Sequence, residues 1–219
     1  MFTSIGVVGH GRLGSTVAAR LAERGLGGAA GNAELVLLCV PDRAIPEVAA
    51  RLPVGPWVAH MSGAVPLSAL APHSQRFGLH PLQTFTRDGG AAQLDGSWAA
   101  VTSESDAAHE QARWLAGVLG LQPFDLREDR RALYHAGATI ASNFLVTLYR
   151  TATQLVEAAG VPPDALLPLM RRTMDNGFEL TGPIARGDWG TVDAHLAAIQ
   201  QYAPEVEELY RAMARATRP

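Results

Sequence analysis

Hydrophobic patterning divides the chain into two unlike halves. In the first, short apolar runs alternate with segments of helical period, predicting strands at Ser4–Val8, Leu35–Val40, Trp57–His60, Phe77–His80, Trp98–Thr102 and Pro123–Leu126. Helices are predicted between them near Gly14–Arg24, Ile45–Leu52 and Asp106–Leu119. The last is bounded by Ser105 or Asp106 as a cap and by Gly120 at its end. This alternation predicts a parallel sheet flanked by helices. The stretch HPLQTFTRDGGAAQLDGS, residues 80–97, has no period and reads as a long loop. From Asp129 onward strand patterns cease. Asp129–Ala159 reads as one long helix stopped by Gly160 and "VPP". Its Leu133, Ala136, Ile140, Phe144, Leu148 and Leu155 recur at helical spacing and predict a buried face. Shorter helices follow around Asp164–Asp175, Thr191–Gln201 and Pro204–Ala216. The expected division is a sheet domain over residues 1–126 and a helical domain over residues 127–219.

"GHGRLG" places Gly9, Gly11 and Gly14 directly after the first strand and at the opening of the first helix. In a G-x-G-x-x-G turn the first glycine permits the tight bend and the second lets a diphosphate approach the backbone. The third lets helix and strand pack closely, and the helix N-terminus offers free N–H groups to phosphate. His10, Arg12 and Leu13 complete the turn, and Arg12 is a further candidate for a phosphate contact. Only eight residues, 26–33, then separate Gly25 from Glu34, which opens the next apolar run. A complete nucleotide-binding half has another strand and crossover in that space, ending in an acidic or arginine residue that reads the ribose. Here "LGGAAGN" shows no strand pattern, and Glu34 is expected to cap the following strand rather than meet a ribose. The fold class expected is α/β plus all-α, with a truncated Rossmann-like parallel sheet followed by a helical C-terminal domain. NAD and NADP are both admissible as cofactor.

Composition narrows the chemistry. At 219 residues, 47% hydrophobic and 18% charged, this is an ordinary globular composition with a net charge of −3. That charge gives no reason to expect nucleic acid or an anionic membrane as partner. No apolar run approaches a membrane span and nothing resembles a signal peptide, so a cytoplasmic location is expected. All 18 basic residues are arginine, which excludes a lysine Schiff base, a P-loop lysine and a lysine general acid. The single cysteine, Cys39, lies in "LVLLCVP" and reads as a buried small hydrophobe. None of the seven histidines falls in a paired metal-ligand spacing, so no metal is expected.

Ligands of doubly wound sheets bind beyond the carboxyl ends of the strands. Three loops would converge there: "CVPDRAIPEV", "AHMSGAVP" and "LHPLQTF". Pro41, Ser62 and Gly63 are candidates to line a cofactor site, whereas Asp42 is expected to cap the following helix. "HMSGA" is not a G-x-S-x-G nucleophile elbow, which disfavours a hydrolase. His80 and Gln83 can hydrogen-bond a carboxylate or carbonyl. On the long helix His135, Thr139, Asn143 and Thr147 stand four apart and form a polar row. Along the axis His135 and Asn143 are about 12 Å apart, so they could bracket a small substrate but not share one reacting atom. In "LTGPIARGD", Arg186 suits a bidentate grip on a carboxylate; an Arg186–Asp188 ion pair fixing the turn is the competing reading.

Taken together, "VVGHGRLG", "VPDRAI", "HMSGA", "LHPLQTF", "YHAGATIASNFL" and "LTGPIARGD" resemble the Rossmann-like proteins with a C-terminal domain of unknown function 2520. That family is similar to the 6-phosphogluconate dehydrogenase-like oxidoreductases. The resemblance implies an NAD(P)-dependent enzyme acting on a small-molecule substrate, dimeric through its helical domain. Several relatives place a lysine proton donor one turn before an asparagine. Asn143 matches that asparagine, and Thr139 stands at the lysine position. Protonation would then fall to His135 or His80, since histidine titrates near neutrality. The reaction expected is reduction of a small oxo or imino acid, ketopantoate being one candidate. The alternative is a non-catalytic nucleotide- or metabolite-binding protein on a degenerate scaffold.

Overall fold

The computed structural model describes residues 1–217. Strand β1 (Ile5–Val8) runs into helix α1 (Arg12–Glu23), then a two-residue strand β2 (Gly27–Gly28) and a 3₁₀ turn, Ala30–Asn32. Strand β3 (Leu35–Leu38), helix α2 (Ile45–Arg51), β4 (Trp57–His60) and β5 (Arg76–Pro81) follow. Then come β6 (Trp98–Ser103), α3 (Asp106–Leu119), β7 (Gln122–Asp125) and α4 (Arg131–Thr139). The remaining helices are α5 (Leu145–Ala158), α6 (Leu166–Asp175), α7 (Trp189–Tyr202) and α8 (Glu207–Ala216). The chain forms two compact units, Met1–Ile140 and Ala141–Pro219, so α4 belongs with the sheet.

The sheet order is β2-β1-β3-β4-β5-β6-β7. Its two faces are both covered, which is why β3 reads as an unbroken apolar run, LVLL. With a side-chain period of two, Leu35 and Leu37 face α1 and α3, where Val17, Leu21, Ala112 and Leu115 meet them. Val36 and Leu38 face α2, packing with Ile45, Ala49, Leu67 and Leu70. Each fully buried leucine or isoleucine contributes about 2 kcal/mol. Arg20 is buried under the 3₁₀ turn Ala91–Leu94, donating to Asp95 Oδ1 at 2.7 Å and to the Ala91 carbonyl at 2.9 Å. These bonds give the long loop an anchored middle. At α3 the expected cap is present: Ser105 Oγ accepts from the Ala108 N–H at 3.2 Å, and Gly120 closes the helix with φ 80°.

Several expectations are corrected. The shortened segment after α1 keeps a remnant strand, since Gly27 and Gly28 pair in parallel with Ile5 and Gly6. Two glycines carry no side-chain pattern, so only the backbone reveals them. The following 3₁₀ turn lies against β1, where a Cβ on Gly6 would overlap Ala30. The sheet is not wholly parallel: β6 runs antiparallel to β5, because a loop rather than a helical crossover joins them. The long helix is interrupted by a π-helical turn, Ile140–Phe144, and begins with a 3₁₀ turn, Glu128–Arg130. The face expected to be buried is largely exposed: Leu133, Ala136, Ile140, Phe144 and Leu148 are open, and only Leu155 packs with Ile199, Ala203 and Val206. No side chain caps α2 or the 3₁₀ turn before it, so Asp42 is not the expected cap.

Candidate functional site

Strand β1 has β2 on one side and β3 on the other, so the chain reverses its direction of travel across the sheet there. Such a switch point opens a crevice between the loops leaving the two strands. Here the crevice has a volume of about 380 Å³ and is lined by Gly9–Leu13, by Leu38–Asp42, and by Met61 and Ser62 at the end of β4.

The three glycines have different reasons to be there. Gly9 has φ 108°, and a Cβ on it would stand 2.5 Å from the Cys39 carbonyl oxygen. A Cβ on Gly14 would overlap Gly9 O and lie 3.1 Å from Cys39 Cβ. These two hold the bend and the helix–strand packing. Gly11 has no such constraint: no atom lies within 4 Å of where its Cβ would be. It is the N-cap of α1, no side chain caps that terminus, and no acidic residue stands in its first turn. The first N–H groups of a helix have no intrahelical partner, and the helix dipole makes that end positive. Open space at Gly11 in front of uncapped amides fits a diphosphate, with His10 and Arg12 exposed at the rim. Cys39 lies in the crevice wall, and burial pushes its thiol up to about 12, so it is inert near neutrality.

Beyond Ser62 the edge becomes imidazole-rich. Ser62 Oγ accepts from the N–H groups of Ala64 and Val65, both at 3.1 Å, fixing a tight turn after β4. Gly63 within that turn packs against two rings. A Cβ there would meet His135 Cδ2 at 2.8 Å, His80 Cε1 at 2.8 Å and His80 Nε2 at 2.9 Å. The two rings stand edge to face with centroids 6.0 Å apart. His80 Nδ1 lies 2.8 Å from the Tyr134 hydroxyl. Burial, then the charges of His135 and Arg131, lower His80 to about 4, so it is neutral at pH 7. Burial pushes Tyr134 up to about 12, with Arg131 opposing, so its hydroxyl keeps its proton.

Arg131 underlies this group. It is 2% exposed, donates to Thr102 Oγ1 at 2.8 Å and to the Ser62 carbonyl, and among the described residues has no carboxylate hydrogen-bonded to it. Beside it His60 is fully buried, and among the described residues neither ring nitrogen has a hydrogen-bond partner. Burial and the Arg131 charge lower His60 to about 3. Asp42, at the crevice, is the acidic group whose field acts on both His80 and Arg131. Arg131, Tyr134 and His135 stand at i, i+3 and i+4 of α4 and so share one helical face. That spacing in "RALYH" is the sequence signal by which Arg131 and Tyr134 were findable; neither is among the expected site residues.

Other expected residues have local roles. Pro41 is exposed at the crevice and caps the 3₁₀ turn Asp42–Ala44 by backbone alone. Gln83 is exposed and bonded within its loop, donating to Ser97 Oγ at 3.1 Å and accepting from the Thr84 N–H at 2.9 Å. Thr139 donates its hydroxyl proton to the His135 carbonyl at 2.9 Å. Thr147 does the same with the Asn143 carbonyl at 3.3 Å. Asn143 lies in the π-helical turn, whose i→i+5 bonding breaks the fourfold spacing of the polar row. Arg186 is exposed, and Asp188 caps α7 instead of holding the arginine: its Oδ1 accepts from the Thr191 N–H at 3.1 Å and its Oδ2 from the Thr191 hydroxyl at 2.6 Å. Glu34 ties down the N-terminal stretch by accepting from the Thr3 N–H at 2.7 Å. Among the described residues no group of three or more histidine, cysteine or acidic side chains could hold a metal, and no helix is long and apolar enough to cross a membrane.

A glycine turn feeding an uncapped helix at the switch point of a largely parallel sheet defines a Rossmann-like α/β protein with a helical C-terminal part. Residues 97–217 match the family model described as domain of unknown function DUF2520, and the chain belongs to that family. No curated protein matches the sequence. Among solved structures, BF3122 of Bacteroides fragilis, assigned as an NADP oxidoreductase, is 20% identical with a TM-score of 0.81, over 98% of this chain and 97% of that one. Protein TM1727 of Thermotoga maritima is 26% identical with a TM-score of 0.77, over 97% and 96%. A reductive aminase of Aspergillus terreus, in complex with NADPH and ethyl levulinate, is 16% identical with a TM-score of 0.65, over 100% and 95%.

Proposed function

We propose that this protein is an NAD(P)-dependent oxidoreductase that reduces a small oxo or imino acid. One observation carries the reading: open space at Gly11 faces the uncapped start of α1, in a crevice whose far end adjoins the His80–His135 pair. The fold shared with an assigned NADP oxidoreductase and with a reductive aminase bound to NADPH supports the choice of chemistry. The N–H groups at the start of α1 would hold the diphosphate, with Arg12 at the rim. Pro41, Ser62 and Gly63 would line the nicotinamide end. When bound, the coenzyme supplies the hydride. His80, neutral at pH 7, orients the substrate oxygen or nitrogen, and delivery of its proton falls to His135. In the second unit, Asn143 by its match to the family's asparagine and Arg186 by its guanidinium are our candidates for contacts with a substrate carbonyl and carboxylate.

We also propose a homodimer formed through the second unit, working in the cytoplasm. Phe144, Leu169 and Phe178 are 54%, 63% and 72% exposed, whereas its buried cluster consists of Ile199, Ala203 and Val206. So small a core leaves much apolar surface for a second copy to cover. The reading as a non-catalytic binder draws on two features: the shortened segment 26–33, and Thr139 with its hydroxyl on a helix carbonyl. Titration with NADPH and NADH, followed by nicotinamide fluorescence, tests the redox reading. Saturable binding of either is expected. Absence of binding to both would overturn it, and binding without turnover on any oxo or imino acid would favour the binder.

A further inference from the structure

The Tyr134 hydroxyl contacts one nitrogen of His80, and the other nitrogen, Nε2, is turned toward Gly63. Which nitrogen carries the ring proton decides whether that edge donates or accepts. Tyr134 cannot drift away from this bond. Its ring stands edge-on to Phe124 of β7, centroids 5.8 Å apart, and edge-on to His80 at 5.6 Å. The Phe124 ring is in turn against Trp98 of β6 at 6.3 Å. An aromatic row across the sheet edge therefore fixes where the hydroxyl points.

Two hydrogen arrangements fit the 2.8 Å separation. In one, Nδ1–H donates to the phenol oxygen. The phenol proton then points away from the ring, and the Tyr134 hydroxyl has no second hydrogen-bond partner among the described residues. In the other, the phenol donates to Nδ1 and its proton is used. A phenol O–H is a stronger donor than a neutral imidazole N–H, which favours the second. The imine nitrogen is also the better acceptor of the two atoms. The single imidazole proton then sits on Nε2, which among the described residues has no hydrogen-bond partner.

We infer that Tyr134 is a positioning residue that holds His80 as the Nε2–H tautomer, making the ring edge beside Gly63 a hydrogen-bond donor for a carbonyl or carboxylate oxygen. The donor property rests on geometry alone; its use on a substrate rests on the oxidoreductase reading. The groups facing His80 support a single-proton ring. His135 lies across from it, and the buried Arg131 guanidinium and the Asp42 carboxylate act on it with opposite sign. An uncharged donor suits a site that must bind an oxygen acceptor without taking up a proton first.

The test is ¹⁵N-histidine NMR of the full chain at pH 7, with His80→Asn used to assign the signals. In the wild type His80 should show a protonated Nε2 and a hydrogen-bonded, unprotonated Nδ1. Tyr134→Phe should convert this to a tautomer mixture, and where turnover is measurable lower kcat about 100-fold, the low end of what a positioned donor contributes, with coenzyme affinity unchanged. A wild-type ring protonated on Nδ1 would overturn the inference, whatever Tyr134→Phe does to folding. So would a tautomer that Tyr134→Phe leaves unaltered. If the tautomer is as expected but neither NADPH nor NADH binds, the redox reading fails and the positioning role stands.

Discussion

Replacing Gly11 with alanine separates binding from folding more cleanly than any other change at the glycine turn. At Gly11 the backbone is extended, φ −69° and ψ −175°, and an added Cβ meets no atom within 4 Å. The folded protein therefore accepts the methyl group without strain. The loss is that of alanine for glycine at an N-cap, about 1 kcal/mol. In a chain of this size that lowers Tm by about 2–4 °C. The same methyl group occupies the space through which a diphosphate would approach the amides of α1. Loss of one charge-assisted hydrogen bond, about 1.5–3 kcal/mol, corresponds to a roughly 10–100-fold rise in Kd. Gly14→Ala is the contrasting variant. Its Cβ overlaps the Gly9 backbone, which has no side-chain freedom to give way, so on the order of 3 kcal/mol of stability should be lost. That is about 6–12 °C in Tm. Thermal unfolding and nicotinamide fluorescence titration read both quantities on the same samples. A Gly11→Ala protein that binds NADPH as tightly as the wild type would refute the reasoning, because the open space at Gly11 would then have no ligand.

The remaining predictions concern the imidazole cluster and the helical unit. His60 and His80 are lowered to about 3 and about 4, so the unfolded chain takes up these protons near 6.5 while the folded chain resists them. Their contribution is complete above pH 6.5 and stability falls as pH drops from there through about 4 for His80 and about 3 for His60; urea unfolding at several pH values should show a shallower decline in His60→Leu, and an unchanged slope would contradict this. Arg131→Met removes the donors to the Ser62 carbonyl and Thr102. It should cost about 2–3 kcal/mol and move His80 titration upward by NMR, since a nearby positive charge is lost; a downward or absent shift would count against the electrostatic role. Leu169→Asp should convert a dimer to monomer by light scattering, whereas an unchanged mass would exclude that face from the interface.

Legibility in the sequence followed the physical signal each element carries. Strand β3 is apolar on both faces and β4 is apolar up to its last residue, His60, so both show as runs, and α3 is bounded by a side-chain cap and a left-handed glycine. β2 was invisible because Gly27 and Gly28 contribute only backbone bonds. The π-helical turn Ile140–Phe144 has no signature in hydrophobic spacing, so the expected polar row runs through it as though the helix were regular. Helical spacing located the apolar face of Leu133, Ile140, Phe144 and Leu148 but could not say what covers it. The glycine turn was legible because two of its three glycines are sterically compelled. The His80–His135 meeting was not, since it depends on β5 and α4 converging on Gly63, with His80 and Tyr134 54 positions apart in sequence.

The most direct measurement of the central claim is a ¹H–¹⁵N amide spectrum of the full chain during titration with NADPH and, separately, NADH. Saturable shifts centred on the amides of Gly11, Arg12 and Leu13, and extending to Ser62 and Gly63, are expected for at least one coenzyme. Shifts that saturate elsewhere and leave the start of α1 untouched would contradict it.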